Sequence, residues 1–131
     1  MEELRIPPDK NVPDILLRPN GVIKITGRSI HENIIKYYDI VYKWIVEYVE
    51  SPADVTCVDM NLEYLNSASA KAIYNLLEKI ISVSLKNKKF LFNWYYEDGD
   101  DDIYERGQYF ASSLNVPFNF IKLGQGSVTL R

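Results

Sequence analysis

Leu62-Glu63-Tyr64-Leu65-Asn66-Ser67-Ala68-Ser69-Ala70-Lys71 is the stretch on which the reading of this chain turns. An apolar run, Val55 to Leu62, leads into it and reads as a strand. Val58, Met60 and Leu62 lie on one face of that strand, and Val55, Cys57 and Asp59 on the other. A helix-period segment, Ala70 to Leu85, leads out, with Ala70, Ile73, Leu77, Ile80 and Ser84 on its apolar side and its start near Ser67. The small hydroxyl residues therefore fall in the first turn of a helix. Backbone amides there have no intrahelical acceptor and form the positive end of the helix dipole, so the turn suits an anion. A serine at this place can cap the helix, hold a phosphate ligand or itself be phosphorylated.

Working outward, the first residues to Pro13 carry three prolines and several charges, which predicts an irregular or mobile arm, residues 1–13. Asp14 to Arg18 and Val22 to Thr26 are short β-rich runs around the turn sequence Pro19-Asn20-Gly21, which predicts a hairpin. Ser29-Ile30-His31-Glu32 has the spacing of a capping box. From there Ile30, Ile34, Tyr37, Val41, Trp44 or Ile45, and Tyr48 recur at helical spacing up to about Val49, and Ser51-Pro52 ends the helix. Lys89 to Tyr95 is an aromatic strand, and the acidic run Asp100 to Asp102 opens a third helix that continues to Leu114. Phe118 to Ile121 reads as a last strand, and 124–131 as a tail. The order is β-β-α-β-α-β-α-β. Strands separated by helices imply an α/β domain, about 14–123, with a mixed, mostly parallel sheet. Val55–Leu62 and Lys89–Tyr95 are expected as adjacent interior strands, apolar enough for a sheet covered on both faces.

A chain of 131 residues buries roughly two-thirds of its unfolded surface, so it needs neither disulfide nor metal to fold. Its net charge of −3, with no basic stripe, argues against nucleic acid as a partner. Cys57 stands alone in an apolar strand and reads as a buried small hydrophobe, which fits a reducing compartment. With no signal-peptide order and no membrane-length apolar run, a cytoplasmic location is expected. The acidic run Glu97 to Asp102 lacks the alternation and closing glutamate of a calcium loop, and acidic residues at a helix start account for it without an ion. His31 is the single histidine, which leaves little material for a metal cluster or a Ser-His pair, and no metal site or catalytic set is expected.

Several separated motifs carry a family resemblance. They are Gly27-Arg28-Ser29 with Glu32-Asn33, Leu62 to Lys71, Trp94-Tyr95-Tyr96-Glu97-Asp98 and Val116-Pro117-Phe118. In element order the chain resembles STAS domains, the fold of anti-sigma-factor antagonists, and in wording it is similar to the SiaC family of regulatory phosphoproteins. That resemblance implies a non-enzymatic switch without a cofactor. A partner kinase would phosphorylate a hydroxyl in the first turn of the second helix, a PP2C-type phosphatase would remove the phosphate, and the unmodified form would bind and activate a diguanylate cyclase. The family acceptor is a threonine following Leu-Asn, and the matching position here is Ser67, with Ser69 the second candidate. Tyr64, Asn66, Ser67, Ser69 and Lys71 are the expected phosphate-turn and partner-binding residues. The alternative is a small-ligand or nucleotide-binding module that uses the same helix N-terminus, although a Gly-rich phosphate cradle is missing.

Overall fold

Alternation of side chains sets the register of one six-stranded sheet. The computed structural model describes residues 1–124, so the expected tail lies, from residue 125 on, outside the described residues. The strands are β1 (Leu4–Ile6), β2 (Asp14–Leu17), β3 (Val22–Ser29), β4 (Val55–Leu65), β5 (Lys89–Glu97) and β6 (Asn119–Leu123). They lie in the order β1-β2-β3-β4-β5-β6. The β1–β2 and β2–β3 pairs are antiparallel, and the three pairs from β3 to β6 are parallel. The helices α1 (Ile34–Tyr48), α2 (Ser67–Ile81) and α3 (Asp101–Leu114) make the three parallel crossovers.

Successive right-handed crossovers that advance in one direction put every helix on the same side of a sheet. The registers agree. Ile6, Ile15, Ile25, Met60, Trp94 and Phe120 form one cross-strand row on the helix side, and its first five members are buried. The neighbouring row faces the other way and carries Arg5, Leu16, Lys24, Asp59, Asn93 and Asn119. Asn93 Nδ2 donates to Asp59 Oδ1 at 2.8 Å, and Asn119 Nδ2 to Asn93 Oδ1 at 3.0 Å. The expectation of a sheet covered on both faces is therefore corrected: the second face of β4 and β5 is half-exposed. Cys57 lies there, half-buried rather than in the core. Burial and the neighbouring Asp59 push its thiol above the ordinary range.

Two further expectations change. The arm of residues 1–13 contains a strand, because Leu4 and Ile6 alternate inward against Leu17 and Ile15 while the Arg5–Asp14 ion pair, 3.0 Å, closes the outside. The prolines at 7 and 8 only end that strand. The Ser29 capping box does not form. Ser29 is the last, buried residue of β3, and α1 begins at Ile34 after Asn33, which makes no side-chain cap. Asn11 instead holds this turn, its carbonyl accepting from the Ile30 and His31 amides at 3.0 Å each. The helix after Ser67 ends at Ile81 and gives way to a 3-10 turn, Ser82–Lys86. As expected, Ile73, Leu77 and Ile80 are its buried face, and β4 and β5 are parallel neighbours.

Candidate functional site

The turn from β4 into α2 is built by half-buried Asn66 and fully buried Ser69. Asn66 is the N-cap of α2, its Oδ1 accepting from the Ser69 amide at 2.8 Å while its own amide donates to the Ser29 carbonyl at 3.0 Å. The Ser69 hydroxyl donates to that same carbonyl at 2.7 Å. Ser29 Oγ then donates to Ser69 Oγ at 2.7 Å, and with both serine protons committed, Tyr38 is the donor in the 2.8 Å Tyr38–Ser29 contact. The chain Tyr38 to Ser29 to Ser69 to the Ser29 carbonyl thus ties α1, β3 and the first turn of α2 together. All three side chains are buried, and burial raises the Tyr38 phenol far above its ordinary range, against a smaller opposing effect of the Ser29 hydrogen bond.

The consequence for the two candidate serines is decisive. Ser69 has no exposed surface and a fully engaged hydroxyl, so it is an anchor and not an accessible acceptor or docking residue, which corrects its assignment from sequence. Ser67, two residues earlier, is exposed, as are Ala68 and Lys71. Tyr64 is 55% exposed, and Asn66 is half-buried at its cap. Lys71 lies one turn below Ser67 on the outer ridge of α2, with Asn75 beyond it. The two residues line a groove of ≈ 460 Å³ against α1 and one of ≈ 840 Å³ against α3. Replacing Asn66 with alanine is expected to cost about 1 kcal/mol, because it removes the cap and leaves the Ser69 amide buried without a partner. Urea unfolding measures this, with a lowered midpoint at unchanged slope as the expected result.

Three residues of the site were not assigned to it from sequence, although Arg28 and Ser29 belong to a motif that carries the resemblance. Ser29 was legible, since the inward alternation Ile23, Ile25 and Gly27 continues to it, but the capping-box spacing hid this. Tyr38 falls on the buried stripe of α1 with Ile34, Val41 and Ile45. Arg28 has no signal in the sequence as a partner of Tyr64; a bulge brings them together. The acidic run behaves as expected of a helix start. Asp100 caps α3 by accepting from the Ile103 amide at 3.1 Å, and Asp101 and Asp102 fill its first turn. Among the described residues, no group of three or more His, Cys, Asp or Glu side chains is placed to hold a metal ion. No helix among them is long and apolar enough to cross a membrane.

This arrangement can now be compared with known proteins. The model of the SiaC family of regulatory phosphoproteins matches residues 6–123, nearly the whole chain. The chain belongs to the SiaC family. An uncharacterized protein of Pseudomonas aeruginosa (strain UCBPP-PA14) is 24% identical over 119 residues, which cover 90% of this chain and 94% of that protein. The crystal structure of apo-SiaC from Pseudomonas aeruginosa superposes with a TM-score of 0.79 at 23% identity, covering 93% of this chain and 98% of that one. A chain from the crystal structure of diguanylate cyclase SiaD in complex with its activator SiaC, also from Pseudomonas aeruginosa, gives a TM-score of 0.81 at 22% identity, covering 93% and 99%. At these identities the superpositions establish the shared fold, with its six strands and three helices.

Proposed function

We propose that this SiaC-family chain is a non-enzymatic switch whose state is set by reversible phosphorylation of Ser67. Its unmodified form docks on a protein partner through the turn that carries Ser67. A cognate kinase and a PP2C-type phosphatase set the modification, and a diguanylate cyclase is the effector, by analogy with the SiaD–SiaC complex of Pseudomonas aeruginosa. The observation that carries the reading is the contrast between neighbours in one turn: an exposed hydroxyl at Ser67 stands on a turn locked from beneath by Ser69. A rigid, exposed serine at a helix start meets both needs of such a switch. Its hydroxyl is open to a kinase, and the phosphate it would carry faces unpaired first-turn amides, so modification leaves the fold intact.

The test is intact-mass analysis of the protein co-expressed with its cognate kinase. One phosphoryl group is expected on the wild type and none on Ser67→Ala, with phosphopeptide mapping placing it on Ser67. A phosphate that persists at full occupancy in Ser67→Ala would refute the assignment.

A further inference from the structure

The strand pair that leads into the switch turn contains an irregularity whose product is an arginine without an acid. Along β3 and β4 the register runs Gly27 opposite Leu62 and then Arg28 opposite Tyr64, so Glu63 is an extra residue with no partner. Such a bulge re-aims the side chains beside it. Leu65 and Ser29 stay buried on the helix side, while Tyr64 turns outward. Arg28 lies over the Tyr64 ring, its Cζ 4.7 Å from the ring centroid. Arg28 Nε is buried and makes no hydrogen bond. Among the described residues, no carboxylate pairs with this guanidinium, although the chain has 18 acidic residues to 15 Lys and Arg. The ring contact holds the guanidinium in place, and its two terminal Nη groups, which make no hydrogen bond among the described residues, are the paired donors that match a carboxylate.

We propose that Arg28, held over the Tyr64 ring, is the anchor for an aspartate or glutamate side chain of the protein partner. This rests on the reading of the Ser67 turn as a docking site and says what chemistry the partner brings to it. The position is contiguous with that turn: Ser29, the residue after Arg28, holds the Asn66 amide, and Ser67 is three residues past Tyr64. The surroundings fix the sense of the contact. On the opposite side of Tyr64, Glu63, Glu97 and Asp100 line a shallow pocket with Tyr96, so a carboxylate is disfavoured there relative to the Arg28 side. A partner acid at Arg28 also explains how a phosphate on Ser67 opposes docking, since the added dianion repels that acid directly.

Two measurements test this. In the first, the diguanylate cyclase from the same organism is titrated with wild type, Arg28→Gln, Arg28→Lys and Tyr64→Leu, each first shown to unfold at the wild-type denaturant midpoint. Arg28→Gln is expected to weaken binding by about 30-fold or more, with Arg28→Lys recovering only part because an ammonium lacks the planar fork. Unchanged affinity in Arg28→Gln would overturn the proposal. The second needs no partner and uses acetate as the probe. In ¹⁵N NMR of the unphosphorylated full chain, the Arg28 Nη–H signals are expected to shift saturably with sodium acetate but not with matched sodium chloride. Absence of an acetate-specific shift overturns the proposal, as does an Arg28 signal already in its acetate-bound position in the Ser67-phosphorylated protein, which would make the phosphate its true occupant. If the wild type does not bind the cyclase at all, the effector reading above fails, and the acetate titration alone decides the role of Arg28.

Discussion

Substituting Gly107 with valine is expected to destabilise this protein by ~3 kcal/mol or more, a large share of the total for a small domain. A Cβ placed on Gly107 would lie 2.5 Å from Trp94 Cδ1 and 2.6 Å from its Nε1. The indole cannot give way. It is 1% exposed, it packs on Phe110 and Phe118, and its Nε1 donates to the Ile103 carbonyl of α3 at 2.9 Å. Gly107→Ala meets the same clash with one methyl but gains about 1 kcal/mol of helix propensity, so its net loss is smaller. Valine adds a branched side chain and a smaller gain in propensity. Urea unfolding of the three proteins orders them as wild type, alanine, valine. Equal midpoints would mean that α3 lifts freely off the indole, contrary to the packing described.

Phosphorylation of Ser67 is expected to weaken cyclase binding by about 100-fold or more while leaving the unfolding midpoint unchanged. The modification adds ~1.5–2 negative charges to a chain of net charge −3, giving about −5. At the start of α2 that charge is locally welcome, since first-turn amides receive it. The cost falls on the complex: a partner covering Ser67 would desolvate a dianion, and a poorly paired buried charge costs several kcal/mol. Titrations with authentic phosphoprotein, Ser67→Ala and wild type check this. Equal affinity of phosphorylated and unphosphorylated protein would show that the phosphate does not act by blocking this contact.

What was legible in the sequence follows from which physical signals are local. The strand Val55–Leu62, the helix behind it and the serine turn between them were readable because periodicity and capping act within a few residues. The helical crossovers then gave parallel neighbours correctly. Two things were not readable. Single-faced coverage depends on three crossovers all advancing the same way, a global property, and the aromatic alternation of Phe90, Phe92 and Trp94 against Leu91, Asn93 and Tyr95 disguised it. Ser29 matched a local capping pattern, yet burial beside Tyr38 and Ser69 prevailed, and those partners are 9 and 40 residues away. The same long-range bonding separates Ser67 from Ser69, which as a sequence pair look interchangeable. Leu4–Ile6 was obscured by the prolines that follow it, although its own alternation was sound.

The uncovered side of the sheet bears on how the protein behaves at high concentration. A naked β surface invites a second sheet to lie on it, and a long free edge invites another strand. Here any sheet laid across the middle row would have to strip water from Lys24 and Asp59 and from the linked amides of Asn93 and Asn119. The bounding strands, β1 and β6, span only three and five residues, too short to template a long ladder. The middle of this face is therefore costly to cover, and a second sheet is disfavoured there, while the end of the same face that carries Arg28 and exposed Tyr64 stays open beside the Ser67 turn.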